Sequence, residues 1–132
     1  MKEVLLIIDF GSQYTQLIAR RVRELNVCSK IIPYNKFQNL SKDIKGVILS
    51  GSPCSVNDVN APAIKLEILR KKIPLLALCY GAQLISHKLG GKVAASDSRE
   101  YGRSQLSIIS TNSLFAKVED QSQVWMSHGD TI

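Results

Sequence analysis

Pro74-Leu75-Leu76-Ala77-Leu78-Cys79-Tyr80-Gly81-Ala82-Gln83 decides the fold. The apolar run from Pro74 to Leu78 predicts a buried strand, and Gly81 to Leu89, stopped by Gly90-Gly91, predicts a helix. Between them sits Cys79, with Ala77 and Gly81 two residues away on either side. A nucleophile elbow needs such neighbours. Its strand-to-helix turn is so tight that larger side chains there would collide, and it thrusts the central side chain into the open. The helix N-terminus favours negative charge on the sulfur. The N–H of Tyr80 points where an oxyanion would form. A small buried cysteine closing a strand is the competing reading, and the paired small residues favour the reactive one.

The flanking sequence repeats the strand-then-helix theme. Val4 to Ile8 is a continuous apolar run bounded by Asp9-Phe10-Gly11-Ser12, which suits a strand buried on both faces. Tyr14, Leu17, Ile18, Val22 and Leu25 recur at helical steps and predict one apolar stripe, with Ser12 as the cap. Ile31-Ile32 and Gly46 to Ser50 read as strands, the second running into Gly51-Ser52-Pro53. Ala61 to Lys72 reads as a helix with Pro62 in its first turn. Farther on, Val93-Ala94-Ala95, Leu106 to Ile109 and Val124-Trp125-Met126 are short strand candidates, with a helical turn near Leu114-Phe115. The alternation up to Gly90 predicts a parallel sheet covered by helices on both faces. Ligands bind such sheets at the carboxyl ends of the strands. That singles out the junctions at residues 9–12, 51–53 and 79–81.

Composition bounds the rest. A chain of 132 residues suits one domain, and 45% hydrophobic with 21% charged residues supports a real core. No apolar run reaches bilayer length, and the N-terminus lacks the pattern of a secretory signal. The net charge is +6, but the basic residues are scattered. The densest group, Arg20, Arg21 and Arg23 beside Glu24, reads as a solvated helix face rather than a nucleic-acid stripe. Cys28, Cys54 and Cys79 are odd in number and lack metal-ligand spacing, which predicts a reducing, cytoplasmic setting and no structural metal. Cys54 reads as a tolerated small residue in its loop.

Leu78-Cys79-Tyr80-Gly81-Ala82-Gln83 resembles the nucleophile motif of the class I glutamine amidotransferases. Ser50-Gly51-Ser52-Pro53-Cys54-Ser55-Val56 resembles that family's oxyanion loop. Asp9-Phe10-Gly11-Ser12-Gln13-Tyr14, Glu100-Tyr101-Gly102 and Trp125-Met126-Ser127-His128-Gly129-Asp130 look most like the members that supply ammonia for amination of XMP to GMP. The matches run through the chain in order, and the ordered set is far more specific than any single motif. The resemblance implies a flavodoxin-like α/β domain over residues 1–132, with a mostly parallel sheet, helices on both faces and its C-terminal part missing. It implies that Cys79 attacks the side-chain amide of glutamine. Backbone N–H groups of Tyr80 and of the Gly51-Ser52 turn would hold the oxyanion. Gln83, Ser127, His128, Gly129 and Asp130 would bind glutamine. It also implies a synthetase (ATP pyrophosphatase) domain or subunit as partner, with ATP and Mg bound there and no cofactor here.

Three departures from the family pattern stand out. Ala77 replaces a common glycine, and Ser52 replaces the second glycine of a Gly-Gly-Pro loop. The family's catalytic His and Glu follow the Ser-His-Gly-Asp stretch in a His-Pro-Glu motif that residues 1–132 lack. A fragment of that kind would be a poor catalyst alone. Its open sheet edge would favour self-association into a homo-oligomer. A second expectation is therefore an incomplete amidotransferase-like domain that acts as a binding or regulatory subunit. A flavin- or nucleotide-binding protein ranks below both, because neither Gly-x-Gly-x-x-Gly nor a Walker loop is present.

Overall fold

The computed structural model describes residues 2–132, and of residues 96–100 the backbone alone. The chain divides into two compact units, residues up to Val93 together with Ile132, and Ala94–Thr131.

The first unit holds a four-stranded parallel sheet. Its strands are β1 (Val4–Asp9), β2 (Cys28–Pro33), β3 (Ile44–Leu49) and β4 (Leu75–Ala77), in the order β2-β1-β3-β4. Two helices flank it, α1 (Thr15–Glu24) and α2 (Tyr80–Lys88). Side chains alternate across a strand, so β1 serves two cores. Val4, Leu6 and Ile8 join Val47, Leu49, Tyr80 and Leu84 on the α2 side. Ile7 joins Ile48, Ala19 and Val22 on the α1 side. The parallel sheet with helices on both faces is as the sequence predicts.

Local details depart from expectation. The buried stripe of α1 runs through Thr15, Ala19 and Val22, while Tyr14, Leu17 and Leu25 are exposed. The helix is thus rolled so that its small residues meet the sheet, where close approach favours them. Ser12 does not cap α1. Its Oγ accepts from Tyr14 N at 3.0 Å, and the Thr15 hydroxyl donates to Asp9 Oδ1 at 2.9 Å. The turn is held by side chains before the helix starts.

Residues 61–72 are not a helix but a single 3₁₀ turn, Leu66–Ile68. In a helix begun at Pro62, the Pro62 carbonyl would accept from Leu66 N. It accepts instead from the Tyr80 hydroxyl. One tight turn suffices to bury Leu66 and Leu69, three residues apart.

Tyr80 is almost fully buried, with its ring 5.5 Å from that of Phe10. Burial, with smaller contributions from Cys54 and Asp58, pushes its phenol up to about 12. The unfolded phenol titrates near 10, so it releases its proton first as pH rises. The contribution to stability is therefore full below about pH 10 and lost as pH climbs through the folded value. Tyr80→Phe should cost about 1 kcal/mol at neutral pH through the lost hydrogen bond. Its urea midpoint should then fall less steeply than wild type above pH 10. Parallel curves for the two proteins would contradict this account.

The second unit is an antiparallel pair, β5 (Ala94–Gln105) and β6 (Gln123–Thr131), with an irregularity between Ala95 and Glu100. Arg103 faces Trp125 across the pair, its guanidinium carbon 5.7 Å from the ring centre. The helical turn near Leu114 is present as a 3₁₀ turn, Ser113–Phe115, with the Asn112 side chain accepting from Leu114 N. Residues 106–109 do not form the expected strand. Leu106 exchanges backbone bonds with Ser122 and Gln121, but Ile108 N donates to the Asp120 carboxylate, which ends the ladder. Among the described residues, no helix is long and apolar enough to cross a membrane.

Candidate active site

The three junctions predicted to matter meet at the carboxyl ends of β1, β3 and β4. Cys79 follows β4 directly and precedes α2, with φ 49° and ψ −109°. A non-glycine residue seldom adopts that backbone, which carries strain at turns of this kind. Its side chain is exposed. The turn is tied on both sides. Leu78 N donates to Leu49 O at 3.0 Å, Gly81 N to Leu78 O at 2.9 Å, and Gln83 N to Cys79 O at 3.0 Å.

Gly81 explains why the flanking position must be small. A Cβ there would lie 2.6 Å from Leu49 Cβ and 3.0 Å from Leu49 O, so α2 rests directly on β3. That contact sets the sharpness of the turn.

Gly51 stands across from Cys79. A Cβ on Gly51 would come within 3.7 Å of both Cys79 Cβ and Ser12 Oγ, and one on Gly11 within 3.7 Å of Pro53 Cδ. Ser52, half-buried, accepts from Cys54 N at 3.1 Å through its Oγ. Tyr80 N and Ser52 N have no backbone or side-chain acceptor among the described residues. Tyr80 opens α2, where the first N–H groups have no partner within the helix. Two free donors therefore belong to the segments that meet at Cys79.

Gln83 is buried in the first turns of α2. Ser127, His128, Gly129 and Asp130 lie on β6 of the second unit, where His128 Nδ1 is 3.0 Å from Asp130 O. Glu100 pairs with His128 through its backbone, and its side chain lies outside the described residues. His87 is exposed at the far end of α2. Eight residues of helix separate it from Cys79, roughly 12 Å along the axis, so it is no base for that sulfur. Cys54 is exposed, and the three cysteines are free thiols.

Two residues gain contacts at the site that the sequence did not assign them. Ser12 approaches the Gly51 loop, and Ser50 is wholly buried, bonded to Phe10 N and Gly51 O. The signal for Ser50 was its place at the head of the loop motif, immediately after β3 and before Gly51.

The chain has relatives among known proteins. The family model for glutamine amidotransferase class-I matches residues 6–132. A GMP synthase (glutamine-hydrolyzing) from Cytophaga hutchinsonii is 62% identical over 100% of this chain. Its counterpart from Phocaeicola vulgatus is 56% identical over the same extent. The chain spans 26% of the length of each. A glutamine amidotransferase from Thermotoga maritima superposes with a TM-score of 0.78 at 25% identity, over 99% of this chain and 62% of that one.

Proposed function

This chain belongs to the class I glutamine amidotransferases, and from that premise we propose that it is the glutamine-hydrolysing part of a GMP synthase, with Cys79 as nucleophile. The observation that carries the reading is the exposed Cys79 at positive φ, beside Gly51 and at the start of α2.

The Cys79 thiolate would attack the amide carbon of glutamine, forming an S–C bond as the carbonyl π pair moves onto oxygen. That oxyanion would be met by Tyr80 N–H and Ser52 N–H. Once the amide nitrogen takes up a proton, the C–N bond would break as the oxyanion collapses, releasing ammonia and leaving a glutamyl thioester. Water would then cleave the thioester to glutamate and free thiol. Gln83, in the first turns of α2, would help hold the glutamine. The ammonia would pass to a synthetase partner that aminates XMP. The ATP and magnesium for that step would be bound by that partner.

The His-Pro-Glu stretch by which the family activates water is not among residues 1–132. The chain alone should therefore capture glutamine-like electrophiles without efficient turnover. The test is peptide mapping after exposure to a diazoketone analogue of glutamine, with and without excess glutamine. Labelling of Cys79 in preference to Cys28 and Cys54, suppressed by glutamine, is the expected result. Equal labelling of all three thiols, or none at Cys79, would refute the assignment.

A further inference from the structure

We propose that Ser50 is a positioning residue that aims the Ser52 N–H at the reaction centre of Cys79; the inference rests on the nucleophile reading given above. Ser50 is wholly buried at the end of β3. Its hydroxyl accepts from Phe10 N at 2.9 Å and donates to Gly51 O at 2.9 Å. A serine hydroxyl has one proton and two lone pairs. With Phe10 N–H occupying a lone pair, the proton goes to the Gly51 carbonyl.

The consequence lies one bond farther on. A trans peptide is planar, so its C=O and N–H point in opposite directions. Holding the Gly51 carbonyl toward Ser50 turns the Ser52 N–H to the opposite side of the loop. A Cβ on Gly51 would lie 3.7 Å from Cys79 Cβ, and Ser52 N–H has no acceptor among the described residues. Ser50 therefore anchors one peptide plane to β1 through Phe10 and leaves its donor free for a substrate oxygen. Glycine at position 51 leaves the loop backbone free to rotate. Without the clamp this peptide can flip, putting a carbonyl oxygen where the donor stood and repelling an oxyanion.

The probe is glutamate γ-semialdehyde. The Cys79 sulfur adds to its aldehyde carbon, the carbonyl π pair moves to oxygen, and the thiol proton is released to solvent or taken up by that oxygen. The tetrahedral hemithioacetal needs oxyanion donors but no base. Iodoacetamide, which alkylates the sulfur by displacing iodide, needs neither.

Ser50→Ala should bind the aldehyde about 10- to 100-fold more weakly, while its alkylation by iodoacetamide stays within about twofold of wild type. Ser50→Cys, nearly equal in volume but a feeble donor, should behave like Ser50→Ala. Ser50→Thr, which keeps the hydroxyl, should recover most of the aldehyde affinity. Unchanged aldehyde affinity in the folded Ala and Cys variants would overturn the proposal. So would a parallel loss of both reactions, which would mean a merely structural role. A wild-type protein that alkylates at Cys79 yet never captures the aldehyde would overturn the parent reading as well.

Discussion

Gly81→Val should unfold at markedly lower urea concentration than wild type and lose preferential labelling of Cys79 at the same time. The first added carbon would already sit 2.6 Å from Leu49 Cβ and 3.0 Å from Leu49 O. Neither atom can yield cheaply. Leu49 is fully buried, and its carbonyl accepts from Leu78 N in the bond that carries the chain from β4 into the turn. To admit valine, α2 must lift from β3 or that bond must break. Overpacking of a close backbone contact costs about 1–3 kcal/mol and more where rigid atoms collide. The magnitude expected here is about 3 kcal/mol. Lifting α2 also moves Tyr80 N–H and Cys79 away from Gly51, so chemistry should fail even in the fraction that remains folded. A variant with the wild-type midpoint and intact glutamine-protected labelling would show that the turn is not set by this contact.

The second large effect runs the other way for stability. Cys79→Gly should abolish covalent capture and yet be more stable than Cys79→Ala, the opposite of the order those residues follow inside a helix. The reason is the backbone at φ 49°, ψ −109°. An L residue there carries strain of about 1–3 kcal/mol, whereas glycine reaches positive φ without penalty. Against this, glycine loses about 0.5–1 kcal/mol of chain entropy on folding. The net advantage of glycine over alanine should be about 1 kcal/mol, read as a difference in urea midpoints. If alanine is the more stable of the two, position 79 is not strained. The wild-type residue would then owe its exposure to the loops around it. Strain retained at a reactive residue is the usual exchange of stability for function.

The elbow was legible because its requirements are local. A cysteine between two small residues, after a strand and before a helix, fits within ten residues of sequence. The strands β1 and β3 were legible for a similar reason: only a doubly covered strand reads as an uninterrupted apolar run. Failures came where the deciding partner lies far along the chain. Nothing near Pro62 announces that its carbonyl will be taken by the hydroxyl of Tyr80, 18 residues later. Nothing near Ser50 reveals that its hydroxyl meets an N–H at Phe10, 40 residues earlier. The roll of α1 was misjudged because periodicity locates a stripe only to within its own width. Tyr14 and Leu17 fit the period as well as Ala19, and only the closeness of the sheet selects the smaller residue.

The alternation in β1 also bears on how this segment can vary over generations. Val4, Leu6 and Ile8 fill one core while Ile7 fills the other. Exchanges among aliphatic residues would leave both cores filled. Loss or gain of a single codon would not, because a shift of one residue sends each side chain to the opposite face. It would also displace Asp9 and Phe10 from their partners Thr15 and Ser50. This strand can therefore drift in composition but not in length, and its length is inherited as a unit with the site at its end.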